Sequence, residues 1–201
     1  MSLPLILCLI ATLIPVFFGK LGAAPTWLSI QALALGWISL TQHSEWDVHT
    51  IAIGLEVLLL RAWLVPTLLR RACAAPATHN QDLMPSNLFA WGAAVSLIIL
   101  AFKFGNGSHT DVRAMTLGVV AATTVMAFLV LATNALPAAQ LVALLFMENA
   151  LTLFETLMPR AWPLPVHVAV SALYVLTAAV GTWLVRDLHP ATTTVPKENA
   201  A

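Results

Sequence analysis

The chain has 201 residues, of which 60% are hydrophobic and only 9% charged; its mean hydropathy is +0.88 and its formal net charge is zero. Soluble domains average about 25% charged residues, so this composition belongs to an integral membrane protein and excludes a soluble enzyme. The zero balance gives no reason to expect nucleic acid or an acidic partner. The fold class expected is all-α: a polytopic helical bundle in a membrane.

A spanning helix needs roughly 17–25 mostly apolar residues. Seven segments qualify in chain order, near Leu3–Phe18, Ala24–Leu40, Thr50–Leu69, Asn87–Phe104, Val112–Ala132, Ala138–Met158 and Leu164–Val185. The first is short, and Pro15 is placed to kink it. MSLPLILCLI lacks a basic stretch ahead of its apolar run, because Lys20 follows it. That pattern predicts a retained first helix rather than a cleaved signal peptide. Residues 1–186 thus form one transmembrane domain with no extramembrane domain, and the polar tail 187–201 is expected to be disordered. Cys8 and Cys73 lack CxxC spacing and read as inert thiols. The small residues of GVVAATTVMA, Gly118–Ala127, predict close packing of the fifth helix on a neighbour. Trp27, Trp46, Trp91, Trp162 and Trp183 lie near segment ends, as interfacial anchors do.

Basic residues set orientation in the membrane. With seven helices, one side receives Lys20, Arg70, Arg71, Arg186 and Lys197. The other receives Lys103, Arg113 and Arg160, with the acids Glu45 and Asp47. This bias places the N-terminus outside and the C-terminus in the cytoplasm, in the inner (cytoplasmic) membrane.

The chemistry lies in ionisable residues at membrane depth, which cost about 2.5–3.5 kcal/mol each on insertion scales and usually face a polar path. They are Glu56 and Arg61 in the third helix, Glu148 and Glu155 in the sixth, and His167 near the start of the seventh. Glu148 is central and too short to snorkel to water. It must be protonated, paired or hydrated, and serves either as a proton-path carboxyl or as interhelical glue. Asn149 beside it supports it by hydrogen bonding to water or a neighbouring helix. Glu155 lies two turns on, about 10 Å along nearly the same face. It is either a second relay member or a residue reaching the headgroups. Arg61 needs a carboxylate or water. Glu56 is five residues away, ~140° around an α-helix, so a partner on another helix is expected, with Glu148 the candidate. Pro66 removes an amide donor and frees the carbonyl of Ala62, predicting a kinked, polar point tolerable only inside protein or beside water. A buried structural ion pair is the competing reading.

The loop from His43 to His49 alternates groups that coordinate metals, but spacing alone fixes no geometry; a hydrated loop is the better reading. The chain has no phosphate-binding glycine loop, cysteine cluster or GxSxG nucleophile. No catalytic, metal or cofactor-binding residue is expected.

Three stretches together carry a resemblance. LLFMENALTLFE resembles the Met-Glu-Asn segment of the hydrogenase-4 component E family, RAWLVPTLL its basic, apolar, Val-Pro segment, and LSIQALALGWISL its Gln-containing second helix. The C-terminal half is also similar to the K-type subunit of respiratory complex I and the C-type subunit of multisubunit cation/proton antiporters, with Glu148 at the position of their buried glutamate. The last helix departs from those relatives: HVAVSALYVLTAAVGTW carries no second acid, and His167 and Ser171 are the polar candidates there. The resemblance implies a non-redox membrane subunit of a proton- or sodium-translocating complex, between a quinone- or hydrogenase-proximal subunit and antiporter-like subunits. Nickel–iron and iron–sulfur centres would belong to partner chains. Glu148 would relay protons, Arg61 would tune it, and Glu56 and Glu155 would be lateral or exit members. Two other classes stay open: a stand-alone small-solute transporter, against which the absence of paired broken helices counts, and a purely structural scaffold.

Overall fold

The computed structural model describes residues 3–42, 48–74, 79–85, 87–104, 111–158 and 162–188, without the side chains of 42, 48–50, 164 and 188. Among the described residues the architecture is all-α; an isolated antiparallel bridge joins Lys20 and Asp82. Helix α1 is Leu3–Phe17, and α2 is Ala24–Gln42, entered through a 3₁₀ turn at Leu21–Ala23. The third rod, α3, runs as α-helix over Val48–Glu56, as π-helix over Val57–Leu64 and as α-helix again over Val65–Ala72. Then come α4 (Leu88–Phe104), α5 (Val112–Thr133), α6 (Pro137–Glu155) and α7 (Leu164–Leu188). Five stretches are long and apolar enough to cross a membrane: Leu21–Thr41, Ile51–Ala72, Val112–Thr133, Pro137–Glu155 and Pro165–Asp187. Helices α1 and α4 are apolar but shorter.

Helix boundaries follow local chemistry. Asp111 caps α5 by accepting from the amide of Arg113 at 2.9 Å. Pro137 opens α6, where its missing N–H is not needed. Gly19 follows the end of α1, and a Cβ there would lie 2.5 Å from Pro15 Cα, so the backbone approach needs glycine.

Helix α6 is the centre of the bundle and packs on α5, α7 and α2; α2 packs in turn on α1 and the π segment of α3. The small-residue stretch of α5 packs closely, as expected: Ala122, Thr123, Met126 and Ala127 are buried, and a Cβ on Gly118 would meet the Phe102 ring of α4 at 2.7 Å.

The two ends of the bundle are tied differently. At one end the Arg113 guanidinium donates to the carbonyl of Leu157 at 2.8 Å. At the other, Lys20 pairs with Asp82 at 2.6 Å, and Asn134 donates to the carbonyls of Asp82 and Leu83 at 3.0 and 3.1 Å. These are called the Arg113 end and, from the basic residues that close α3, the Arg70 end. An apolar cluster fills the Arg70 end with Val16, Leu28, Leu69, Leu83, Val142 and Val185 among its members.

Candidate functional site: a buried charged line between α3, α6 and α7

Arg61 is the largest fully buried side chain among the described residues. Its position follows from the π segment. In a π-helix hydrogen bonds run from i to i+5, and the amide of Val65 bonds the carbonyl of Leu60 in this way. Residues five apart are therefore stacked one turn above each other, and Arg61 Nε donates to Glu56 Oε1 at 3.1 Å. This corrects the expectation drawn from α-helical spacing, which separated the two residues around the helix and looked to Glu148 for a partner. Pro66 is the second residue of the α-helix that resumes after the π segment. Leu64, before that helix, is itself helical, so the missing amide of Pro66 falls within a continuous rod and takes a donor from the turn below it.

The other contacts of Arg61 reach across the bundle. Its Nη1 donates to Asn149 Oδ1 at 3.1 Å, and its guanidinium lies 4.3 Å from the centroid of the Tyr174 ring. A cation over an aromatic face is attracted by the ring quadrupole, more so when desolvated. Asn149 Nδ2 donates to Gln31 Oε1 at 2.9 Å, and Gln31 Nε2 donates to Thr12 Oγ1 at 2.9 Å. The Thr12 hydroxyl donates onward to the carbonyl of Cys8 at 3.3 Å. An amide accepts with its oxygen and donates with its nitrogen, so Asn149 and Gln31 transmit one orientation of hydrogen bonds from α3 through α6 and α2 to α1.

Toward the Arg113 end the line is ionic. His167 sits between two carboxylates, with Nδ1 3.4 Å from Glu155 Oε2 and Nε2 3.7 Å from Glu56 Oε2. The other oxygen of Glu155 accepts from the amide of Trp162 at 3.2 Å. Glu155 is thus turned toward α7, with its side chain only 12% exposed. The structure therefore places Glu155, His167, Glu56, Arg61 and Asn149 in one connected line.

Glu148 lies beside that line and not in it. Its Oε1 accepts from Thr177 Oγ1 of α7 at 2.9 Å, while Oε2 is buried without a hydrogen-bond partner. Glu56 Oε2, His167 Nε2, Ser171 Oγ and Tyr174 OH are also buried and unpartnered. A groove of about 320 Å³ between α3 and α7, lined by Glu56, Leu60, His167 and Ser171 among others, meets three of these groups. The rest of its lining, Ala52, Ile53, Val168 and Ala172, is apolar, so the three polar groups are set into an otherwise apolar groove.

Sequence reasoning missed Thr12, Tyr174 and Thr177, and noted Gln31 only as the glutamine of the second-helix motif, without a partner. The signal was present in α7: His167, Ser171 and Tyr174 recur at the spacing of one helix face, and Tyr174 is the chain's single tyrosine. The arrangement can hold and exchange protons: a carboxylate, an imidazole and a second carboxylate in series, next to a fixed guanidinium charge. Among the described residues no group of three His, Cys, Asp or Glu side chains is placed to hold a metal ion. The loop residues His43 to Asp47 lie outside the described residues, as does the side chain of His49. Cys8 and Cys73 are buried and free, and burial pushes the Cys73 thiol up to about 11. No family model, curated protein or solved structure matches this chain, so the likeness to hydrogenase-4 component E rests on the quoted motifs.

Proposed function

We propose that this chain is a non-redox membrane subunit of a proton- or sodium-translocating oxidoreductase or hydrogenase complex of the complex I type. Its buried carboxylates contribute to an ion path, and the chain links antiporter-like subunits. The observation that carries this reading is the line Glu155–His167–Glu56–Arg61–Asn149, enclosed by apolar helices. Ionisable groups at membrane depth are costly and usually serve a polar path, and this bundle gathers five polar residues from three helices into one connected line.

In this reading His167 receives a proton at Nδ1 from Glu155 and passes one from Nε2 toward Glu56. The 3.7 Å gap is closed by a water or a small approach of the side chains. Arg61 holds a fixed positive charge against Glu56 and Asn149, so the excess charge of a passing proton is set against a constant background. Glu148 is the carboxyl that exchanges protons beside Tyr174 and Thr177. Seven spans in the cytoplasmic membrane, N-terminus outside, put Arg70, Arg71 and Arg186 on the cytoplasmic side. Redox centres reside in partner subunits.

The test is purification of the chain from its native membrane in mild detergent, with mass spectrometry of what accompanies it. Co-purification with iron–sulfur subunits and large antiporter-like membrane chains is the expected result. A chain that leaves the membrane alone, or only with copies of itself, overturns the reading.

A further inference from the structure

The polar atoms around Glu148 are distributed unevenly along the bundle. Counting from Glu148 toward the Arg113 end, α7 contributes Tyr174, Ser171 and His167, α3 contributes Glu56 and Arg61, and α6 ends on Glu155. His167, Ser171 and Tyr174 are each at least nine-tenths buried, and each has a polar atom without a hydrogen-bond partner. They follow one face of α7 at spacings of four and three residues, a rise of about 10 Å. The groove between α3 and α7, apolar in most of its lining, reaches His167 and Ser171 on this face.

In the other direction the contacts change character. Seven residues from Glu148, about 10 Å toward the Arg70 end, α6 presents Leu141. Four residues from Thr177, about 6 Å in the same direction, α7 presents Gly181. The Leu141 side chain occupies the space that a Cβ on Gly181 would fill. Ala178 is buried between Thr177 and Gly181, and Val65 and Leu69 of α3 continue the apolar contact. Thr182 is the one buried polar side chain of α7 beyond this closure. A hydrated line needs polar partners for each water, and the Leu141–Gly181 contact interrupts them, leaving the unpartnered Thr182 hydroxyl on its far side.

We propose that Glu148 exchanges protons with water at the Arg113 end only, through a half-channel past Glu56, His167, Ser171 and Tyr174, and that Leu141 packed on Gly181 closes the route to the Arg70 end. The proposal deepens the reading of Glu148 as a proton carrier and rests on it. It assigns Ser171, Tyr174 and Thr177 to the access route, and it supplies a direction: the proton enters and leaves Glu148 on one face unless α6 and α7 separate at Leu141.

The experiment uses the full chain in native membrane vesicles of both orientations, with Cys8 and Cys73 replaced by alanine. Single variants Ser171→Cys, Thr177→Cys and Thr182→Cys are exposed to silver ion from one face. The cysteine left unreacted is then counted with maleimide after denaturation. Arg113→Cys and Arg70→Cys, probed with a membrane-impermeant maleimide, identify the faces. Ser171→Cys and Thr177→Cys are expected to be protected at least tenfold faster from the Arg113 face than from the Arg70 face. Thr182→Cys is expected to be untouched from the Arg113 face, and adding Leu141→Ala is expected to open Thr177→Cys to the Arg70 face. Equal protection from both faces, protection only from the Arg70 face, or none from either overturns the proposal. One-sided access in a chain whose Glu148→Gln variant still supports proton transport overturns the proton-carrier reading instead. Loss of transport in that variant with two-sided access leaves the reading and removes the half-channel.

Discussion

Toward the Arg113 end, α3, α6 and α7 meet through Glu56, Glu155, His167 and Ser171; toward the Arg70 end the same three helices meet through Val65, Leu69, Leu141, Val142, Ala178 and Val185. The chain concentrates its electrostatic cost in one half of the bundle. Apolar contact would hold three helices together equally well at both ends, since association in lipid rests on close packing and not on charge. Carboxylates, an imidazole and a guanidinium in one half are a cost that packing alone does not call for, and the proposed function assigns them to an ion path.

Changes in the polar half are expected to cost most. Arg61→Met leaves Glu56 buried without its partner, and removing one member of a buried pair costs about 3–5 kcal/mol. A large fall in thermal stability of the purified chain in detergent checks it. The double variant Arg61→Met, Glu56→Gln is expected to recover most of that loss, because it removes both charges. If the double variant is as unstable as the single one, the pair does not account for the cost. Asn149→Leu keeps the branched outline of the side chain but strips the amide that joins Arg61 to Gln31. Each buried polar group left unpaired costs about 1–3 kcal/mol, so the same melt should show a smaller but clear loss. At the Arg70 end, Lys20→Ala removes an ion pair with both side chains about half exposed. Exposed pairs contribute at most ~1 kcal/mol, and a shift as large as that of Asn149→Leu would contradict the contrast between the halves.

Much of this was legible in the sequence, and the part that was not has a physical cause. Apolar runs of helical length gave an all-α bundle, and the burial cost of charge singled out Glu56, Arg61, Glu148, Glu155 and His167. The pairing was not legible, because it depends on backbone register. Spacing at 100° per residue separates Glu56 from Arg61, and only the π segment over Val57–Leu64 stacks them. Nothing local announces that segment beyond Pro66, whose missing amide disturbs the ordinary ladder one turn below it. Gln31 and Thr12 were illegible for a different reason. A lone amide or hydroxyl in an apolar helix acquires meaning only from what faces it, and Asn149 and Cys8 face these two from elsewhere in the bundle or one turn back. The stretch His167–Trp183 of the last helix carries no acid, yet its polar side chains reach those of the other helices: Thr177 donates to Glu148, and His167 lies between Glu155 and Glu56.

Under the proposed function Glu148 handles protons instead of gluing helices. Glu148→Gln keeps the shape and the acceptor oxygen that Thr177 uses, and removes only the titrating group. The measurement is proton translocation by energised native membrane vesicles carrying this variant, with assembly of the chain into its complex followed in parallel. Assembly should persist while translocation falls at least tenfold. Full translocation with normal assembly would contradict the claim and leave Glu148 a structural hydrogen-bonding group.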